Sequence, residues 1–496
     1  MNFKMIRYTL GMVLLFLSVF FLLPCFVALV YKEWESLFAF LGTMLFSALV
    51  GFLFVLRKPK NDSLYARDGF AIVSLSWIVI SLVGSLPMVF SGAIPSFIDA
   101  LFEMVSGFTT TGASILPSVE DMPRSVNLWR CFSNWIGGMG VLVFVMAILP
   151  LSGAKNMHIM RAESPGPEVS KIVPRIKRTA IILYALYISL TLLSFLLLLP
   201  KMSVYDAACT AIATAGTGGF GIYNDSMASF SPYVQVVVTV FMLLFSINFN
   251  SYFLVLRARF KDAFNAEVRT FLIIVAVAIG AISLNLYLTG TLDSYGDSLR
   301  HSAFTVASLI STSGFATLNF DLWPTLSKTL LVLIMFVGAC AGSTGGGLKV
   351  SRILILLKGM LRELGMILRP RQIKKITIDK RPIDNDVVRS VNAYIVTYAV
   401  VFVVSLILLS LDGYTPTVNM ATGSTFNPIV TNFTAVASTM NNIGPGLEMV
   451  GPVQNFAFYS PFSKIVLIFD MLAGRLELFP MLLLFSPFTW QRRRGL

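Results

Sequence analysis

The stretch "SAFTVASLISTSGFATL" (302–318) decides the fold of this chain. It begins with a run rich in Ala, Ser, Thr and Phe, a composition that suits a short helix packed closely against its neighbours. The run then breaks at a turn that ends in Gly314. Three similar segments occur elsewhere: "DALFEMVSGFTTTGAS" (99–114), "DAACTAIATAGTGGFG" (206–221) and "TNFTAVASTMNNIGPG" (431–446). A motif that recurs four times along one chain indicates an internal repeat.

The composition places these segments in a membrane protein. Hydrophobic residues make up 56% of the 496 residues and charged residues only 13%, against roughly 25% charged residues in soluble proteins. The net charge of +13 would suggest nucleic acid in a soluble protein, but in a membrane protein it reflects basic cytoplasmic loops. We therefore expect the chain to lie in a lipid bilayer and to bind no nucleic acid.

Apolar runs long enough to cross a bilayer predict ten transmembrane helices: 8–31, 36–56, 69–90, 129–150, 178–199, 233–256, 268–289, 325–357, 387–411 and 464–487. Basic residues cluster after the even-numbered spans, as with Arg57 and Lys58 after the second and Arg257 and Arg259 after the sixth. Because cytoplasmic loops are enriched in Lys and Arg, both termini are predicted to be cytoplasmic. The first run is too long for a signal-peptide core, so it is predicted to remain as a span.

The predicted fold is an all-α integral membrane protein with four pseudo-symmetric pore repeats. Each repeat is a span, a half-helix, a loop and a second span, where a half-helix is a short helix that enters the membrane without crossing it. The predicted units are an N-terminal two-helix unit at 1–67 and pore repeats at 68–160, 161–262, 263–381 and 382–496.

The loops after the half-helices are predicted to hold the functional groups. Irregular backbone at membrane depth is tolerated only where protein buries it or where it lines a water-filled cavity. A half-helix points the negative end of its dipole at its loop. Four of them around one axis would surround a point with carbonyl oxygens, which replace the hydration shell of a monovalent cation. The alternative is that the small residues only permit close helix packing, but the fourfold recurrence favours a cation pore.

An enzyme is not expected, because the sequence offers no catalytic set. Only His158 and His301 are present, and the four cysteines stand in or beside apolar runs without a C-x-x-C spacing. The "GTGGFG" stretch (216–221) matches a dinucleotide pattern but has no acidic residue about 20 positions later. The "GSTGGGLK" stretch (342–349) lacks the Lys-Ser/Thr ending of a phosphate loop and interrupts an apolar run.

Several motifs together resemble the Trk/Ktr/HKT superfamily of potassium transporters, in particular its TrkH-type membrane subunits. They are the two extra N-terminal spans, "TTTGAS", "WIGGMG" (135–140), "TGGF" (217–220), "STSGFATL", "AGSTGGGLK" and "GRLELFPML" (474–482). The resemblance implies four repeats that imitate a tetrameric potassium channel, with K⁺ as the bound and transported ion and no organic cofactor. The implied filter consists of Thr110, Thr111, Gly112, Thr217, Gly218, Gly219, Thr312, Ser313, Gly314, Asn442, Ile443 and Gly444. None of these loops reads TVGYG, so the filter should be less uniform than in strict potassium channels.

A glycine-rich break lies within the eighth predicted span, at 338–349. One interpretation is a kink that lets helices cross. The family resemblance implies instead an intramembrane gating loop below the filter, in which the glycines supply flexibility and the lysine places a positive charge near the cation path. The residues concerned are Gly342, Ser343, Thr344, Gly345, Gly346, Gly347 and Lys349.

Charged residues within the predicted spans and half-helices are further candidates. Arg475 stands in the last span, where an arginine is a functional candidate by default, and the resemblance implies an electrostatic barrier that faces the pore under the filter. Glu103 could bias the pore entrance or interact with a helix dipole. Asp99 and Asp206 begin their half-helices and are predicted to be N-caps.

The predicted function is potassium uptake through a carbonyl-lined pore in the bacterial plasma (inner) membrane, driven by the membrane potential. The alternative is a secondary transporter that couples K⁺ to H⁺ or Na⁺, for which Asp470 and Glu477 are the main mid-membrane acids. The resemblance implies a homodimer that is gated by a cytosolic ring of NAD- or ATP-binding regulatory subunits. The basic segment 349–381 is either a plain cytoplasmic loop or the docking face for that ring.

Overall fold

A computed structural model describes residues 1–59, 65–140, 176–369, 375–379, 381–413 and 425–490. Apart from one short hairpin, in which β1 (Thr377–Ile378) pairs antiparallel with β2 (Arg381–Pro382), the regular structure is helical. The α-helices are α1 Phe3–Phe20, α2 Leu22–Tyr31, α3 Trp34–Val55, α4 Ala66–Phe90, α5 Phe97–Phe108, α6 Arg124–Gly138, α7 Ile176–Leu198, α8 Val204–Gly216, α9 Pro232–Ser246, α10 Phe249–Leu256, α11 Phe260–Ala263, α12 Ala266–Leu288, α13 Tyr295–Ile310, α14 Thr325–Val337, α15 Val350–Leu368, α16 Asn385–Asp412, α17 Pro428–Asn441, α18 Pro461–Arg475, α19 Phe479–Phe485 and α20 Pro487–Trp490.

The apolar helices establish the chain as a membrane protein. Among the described residues, six segments are long and apolar enough to span a bilayer: α1 with α2, α3, α4, α7, α12 and α16. A seventh is added if α9 and α10 form one broken span. The outer face of α3 leaves Phe38, Leu45 and Leu49 at least 60% exposed, which suits contact with lipid rather than water.

Most predicted spans coincide with these helices. The first, second, third, fifth, seventh and ninth match α1 with α2, α3, α4, α7, α12 and α16, and the eighth is divided into α14 and α15 by the non-helical 338–349 loop. The last ten residues of the fourth predicted span, 141–150, lie outside the described residues. The count of ten spans stays a prediction.

The sixth predicted span is interrupted and is not one continuous helix. The chain turns by 92° between α9 and α10, with extended backbone at Ile247 and an Asn248 side chain that accepts a hydrogen bond from the first turn of α10. The freed carbonyl of Ser246 accepts a hydrogen bond from the N–H of Cys340 at 3.0 Å. The break is stable because the 338–349 loop pairs with backbone groups that water cannot reach.

The last predicted span is also interrupted. Helix α18 ends at Arg475, and Glu477 and Leu478 adopt left-handed φ values of 58° and 64° before α19 begins. The sequence placed Arg475 inside a continuous span. In the structure it stands at the C-terminal end of a helix. A cation at this position is favoured by the negative end of the helix dipole.

Trp129 joins the N-terminal helices to the first half-helix. Its buried ring lies 4.6 Å from the ring of Phe21 and 6.0 Å from that of Phe108, centroid to centroid. The indole Nε1 donates to the backbone oxygen of Gly84 at 3.0 Å, so the only polar atom of the side chain is satisfied. The N-terminal unit thereby packs against the helix that leads into the first predicted filter loop.

Within the N-terminal unit, α1 and α3 cross at two glycines. A Cβ added at Gly51 would lie 2.9 Å from the backbone oxygen of Gly11 and 3.0 Å from the backbone nitrogen of Leu15. Ser47, one turn earlier, donates to the Leu14 oxygen at 2.8 Å. Small residues allow this close helix approach in a bilayer.

Replacing Gly51 with Leu is expected to lower the free energy of unfolding by about 1–3 kcal/mol, because the added side chain overpacks the crossing. The measurement is thermal unfolding of the detergent-purified protein. Gly42→Leu is the matched control on the same helix, since nothing lies within 4 Å of a Cβ added there. Equal unfolding temperatures for the two variants would contradict the close crossing.

Candidate cation site

Four half-helices, α5, α8, α13 and α17, direct their C-terminal ends toward one buried centre. Their N-caps are Ser96, Ser203, Ser294 and Asn427, and each cap side chain accepts a hydrogen bond from the first turn of its helix. Asp99 and Asp206 were predicted to be N-caps, which was wrong. Each stands three residues later and donates its backbone N–H to the capping serine, although its charge still suits the helix N-terminus.

All four half-helices end in the same backbone motif. In each, two consecutive N–H groups just past the helix donate back to its last turn. The first donates to the carbonyl three residues earlier, and the second donates to the carbonyl five residues earlier. This pair of hydrogen bonds is the Schellman motif, which satisfies the last carbonyls of a helix. The longer bonds are Thr111 N to Ser106 O (2.8 Å), Gly218 N to Ala213 O (3.2 Å), Ser313 N to Ser308 O (2.8 Å) and Ile443 N to Ser438 O (2.9 Å).

The left-handed residue of each motif is not glycine, as is usual, but threonine or asparagine. Thr110, Thr217, Thr312 and Asn442 have φ values of 58°, 54°, 62° and 55°. A left-handed φ is unusual for a β-branched residue, and such strain, of order 1–3 kcal/mol, persists mainly at functional sites. Two residues later, Gly112, Gly219, Gly314 and Gly444 again have positive φ, between 66° and 104°.

The four loops close a ring in chain order. A Cβ added at Gly112 would lie 2.0 Å from the Gly218 oxygen, and one at Gly219 would lie 1.7 Å from the Ser313 oxygen. A Cβ added at Gly314 would lie 2.2 Å from the Ile443 oxygen, and one added at Gly444 would lie 2.9 Å from the Thr111 oxygen. Each glycine therefore lies against the carbonyl that precedes the glycine of the next loop, and only a residue without a Cβ fits.

The carbonyls of this ring are available as ligands. Among the described residues, no N–H or O–H group donates to the oxygens of Thr111, Gly218, Ser313 or Ile443. These residues are buried, and a buried carbonyl normally has a partner. Four such oxygens, with the negative ends of four helices behind them, suit a desolvated cation.

The 338–349 loop lies against the helix ends beneath this ring. A Cβ at Gly345 would be 2.8 Å from the Ser311 oxygen, and one at Gly346 would be 2.4 Å from the Asn441 oxygen. The N–H of Gly346 also donates to Thr312 Oγ1 at 2.7 Å. The loop therefore contacts the last turns of α13 and α17 directly.

Two sets of hydrogen bonds hold this loop in place. Thr344 donates both its N–H (3.3 Å) and its hydroxyl (3.1 Å) to the Phe245 oxygen at the break after α9. On the other side, Glu267 Oε1 accepts from the N–H of Ala341 (2.7 Å) and from that of Ser351 (3.2 Å). Lys349, which is buried, donates its ammonium to the Gly345 oxygen within the loop itself.

Arg475 connects the ring, the loop and α6. Its Nη1 donates to Thr110 Oγ1 at 3.2 Å and to the Thr344 oxygen at 2.9 Å. Its Nη2 donates to the backbone oxygens of Gly137 and Gly138, the latter at 2.8 Å. The guanidinium thus stands directly beneath the first half-helix, next to the loop.

Glu103 has neither of the roles considered from the sequence. It lies past the first turn of α5 and is fully buried in an ion pair with Arg130, 2.6 Å from Nη2 to Oε1. Asp470 and Glu477 are also engaged, since Asp470 accepts from Ser405 Oγ at 2.7 Å and Glu477 pairs with Arg352.

Sequence reasoning missed Arg130, Arg352 and Glu267. Arg130 offered the same signal as Arg475, a charge inside an apolar stretch at membrane depth. The other two lie at helix starts, where a charged residue is ordinary, and only their contacts across the chain distinguish them.

The apolar helices and the four short helices around a buried centre define an integral membrane transport protein. A family model described as "TrkH: Cation transport protein" matches residues 36–492. The Trk system potassium uptake protein TrkH of Salmonella typhimurium is 36% identical, covering 99% of this chain and all of the relative. The TrkH protein of Escherichia coli K12 is 35% identical with the same coverage. The crystal structure of the potassium transporter TrkH from Vibrio parahaemolyticus superposes with a TM-score of 0.86 at 33% identity, over 99% of this chain and all of that one.

The chain therefore belongs to the TrkH family of cation transport proteins, and it is a transporter rather than an enzyme.

Replacing Gly219 with Ala is expected to lower the free energy of unfolding by about 2–5 kcal/mol. Alanine would have to adopt the left-handed φ of Gly219, and its Cβ would overlap the Ser313 oxygen. Thermal unfolding of the purified protein measures the effect. Gly221→Ala is the matched control two residues later, because its Cβ would come no closer than 3.5 Å to any atom. A Gly219→Ala protein as stable as this control would contradict the closed ring.

Proposed function

We propose that this chain takes up potassium through a pore whose selectivity filter is the ring of loops at 110–112, 217–219, 312–314 and 442–444. The single observation that supports it best is the mutual contact of the four loops, in which each glycine meets an unpaired carbonyl of the next. Its relatives are potassium uptake proteins by name, which agrees with an alkali cation as the transported ion.

The proposed mechanism is dehydration of K⁺ onto the carbonyl oxygens, followed by diffusion down the electrical gradient. Carbonyl oxygens replace the water that the ion loses, and the helix dipoles behind them favour positive charge. An inside-negative potential contributes about 2.3 kcal/mol per charge per 100 mV. No chemical step is required of the protein, only a fixed ring and an open path on either side.

The 338–349 loop acts as the gate and Arg475 as an electrostatic barrier. In support of this proposal, the loop contacts the helix ends under the ring, and the arginine donates both to the carbonyl of Thr344 in the loop and to Thr110 Oγ1 beside the ring. Hydrogen bonds to Phe245 of α9 and to Glu267 of α12 help to hold the loop, so a movement of either helix would loosen it. A simple kink would need none of these contacts.

The wider architecture follows from the same proposal. The chain has ten spans, an N-terminal unit at 1–67 and four pore repeats, with both termini cytoplasmic in the bacterial inner membrane. It forms a homodimer, and a cytosolic ring of NAD- or ATP-binding subunits opens it through the basic segment 349–381. Its relatives are named as parts of a Trk system, which agrees with further subunits.

A second candidate is a secondary transporter that couples K⁺ to H⁺ or Na⁺. One observation favours it: Asp470 is fully buried in α18, and no described residue bonds its Oδ2 atom. The Oδ1 atom bonds Ser405 on α16, however, so the carboxyl faces a neighbouring helix. A unitary conductance in planar bilayers would exclude alternating access, whereas uptake that stops without a pH or Na⁺ gradient would favour it.

The proposed function is tested by tracer uptake into proteoliposomes with and without an inside-negative potential. We expect uptake of K⁺ and Rb⁺ to follow the potential and to exceed that of Na⁺, and Gly219→Ala, but not Gly221→Ala, to lose this preference. Failure of both the native protein and a variant shortened within 343–347, in which the proposed gate is disrupted, to take up K⁺ under an imposed potential would overturn the proposal, as would equal uptake of Na⁺.

Arg475→Ala is expected to raise potential-driven K⁺ uptake by about tenfold if the guanidinium contributes about 1.4 kcal/mol to the barrier. The reason is removal of a fixed positive charge beneath the filter. Arg475→Lys, which keeps the charge, is the control and should stay near the native rate. An unchanged or lower rate for the alanine variant in folded protein would exclude the barrier role.

A further inference from the structure

We propose that the buried ion pair between Glu103 and Arg130 is a positioning pair that determines the ion specificity of the filter. It does so by fixing the first and second filter loops relative to each other. This inference rests on the proposed function, because it assigns specificity to a ring that is proposed to conduct potassium. Neither residue belongs to the ring itself.

Glu103 holds the chain that leaves the first loop. Its two oxygens accept from Ser114 Oγ at 3.0 and 3.2 Å, and Oε2 also accepts from the backbone N–H of Ile115 at 3.0 Å. Ser114 follows Gly112 by two residues, and its carbonyl accepts from the N–H of Phe456 at 2.8 Å. The carboxylate therefore ties the body of α5 to the outer end of its own loop.

Arg130 reaches from α6 to the outer end of the second loop. Its Nε donates to Glu103 Oε1 at 2.8 Å, and its Nη1 donates to Asn127 Oδ1 at 2.7 Å and to the Gly221 oxygen at 3.5 Å. The guanidinium also lies over the ring of Phe220, 4.3 Å from the centroid. Phe220 directly follows Gly219, so the arginine contacts the two residues after that loop.

A charged pair suits this position because both partners are fully buried and fully engaged. Side-chain exposure is 1% for Arg130 and 0% for Glu103. Hydrogen bonds between ionised groups are about twice as strong as neutral ones, and the planar guanidinium adds a fixed geometry. The pair is therefore a rigid link between two loops whose carbonyl spacing bears on ion discrimination.

The other half-helices have no equivalent charge. Thr210, Thr305 and Ala435 stand at the same distance before their filter glycines as Glu103 does. In the third repeat a ring nitrogen of His301 lies 2.9 Å from Thr317 Oγ1, and in the fourth Thr434 Oγ1 accepts from Leu447 N at 3.0 Å. Glu103 with Arg130 is thus a fully buried ion pair at a half-helix position that is neutral in the other three repeats, and its loss should affect discrimination.

The experiment compares the K⁺/Na⁺ uptake ratio of variants in proteoliposomes at equal protein content. Removing one partner would leave a buried unpaired charge, so the first variant is the neutral double Glu103→Gln with Arg130→Gln. The second is Arg130→Lys, which keeps the charge balance but cannot reach Glu103, Asn127 and Gly221 with one planar group. Size-exclusion profile and unfolding temperature show whether each variant is folded.

The matched control is the pair Asp99 and Lys464, whose charged atoms are 2.6 Å apart. Asp99 stands one turn before Glu103 on the same half-helix. Among the described residues, the side chains of this pair form no hydrogen bond or ion pair with a residue of a filter loop. The control variant is Asp99→Asn with Lys464→Gln.

In the neutral double variant we expect the K⁺/Na⁺ uptake ratio to fall by about tenfold, which is equivalent to about 1.4 kcal/mol. The ratio should fall less in Arg130→Lys and should stay at the native value in the control variant. K⁺ uptake itself should persist. A native ratio in folded Arg130→Lys and in the double variant would overturn this inference, as would an equal fall in the control. If neither the native protein nor a variant shortened within 343–347 takes up K⁺, the proposed function fails instead, so the two failures are distinct.

Discussion

The whole structure depends on the approach of four glycines to four carbonyl oxygens. At Gly219 the space is so limited that a single added carbon would lie 1.7 Å from the Ser313 oxygen. Backbones come this close only if helices behind them fix every loop, and each half-helix does so with an N-cap at one end and a Schellman motif at the other. The left-handed threonines are the cost of ending the helices at this point, about 1–3 kcal/mol each.

Around this ring the protein places buried and half-buried charges where backbone regularity is lost. Arg475, at the end of α18, donates to four oxygen atoms. Glu267 accepts from the N–H of Ala341 within the 338–349 loop and from that of Ser351 just after it, and Arg130 with Glu103 secures two filter loops. Each is costly to bury and each is satisfied. The membrane interior offers no water to substitute for these partners, so the irregular segments exist only with them.

The sequence predicts the structure well at positions where the backbone accepts only one residue type, here glycine. The four glycine turns and the break at 338–349 can be recognised in the sequence because their glycines interrupt helix-forming, mostly apolar stretches. The structure has short helices and a non-helical loop at these places. The sequence does not predict which polar groups meet across the chain. The pairing of Arg130 with Glu103 and the break between α9 and α10 depend on tertiary contacts, and Ile247 and Asn248 carry no local helix-breaking signal as strong as glycine or proline. The serine caps are a different case, because S-x-x-D at 96–99 and at 203–206 is a local capping signal that marks the serine and not the acid as the cap.

The central claim is that the ring of loops binds a dehydrated monovalent cation. The most direct measurement is anomalous diffraction from crystals of the full chain grown with Rb⁺ or Tl⁺ in place of K⁺. We expect an anomalous peak on the axis of the ring, in contact with the carbonyl oxygens of Thr111, Gly218, Ser313 and Ile443. A ring without a peak in crystals that show either ion elsewhere would contradict it.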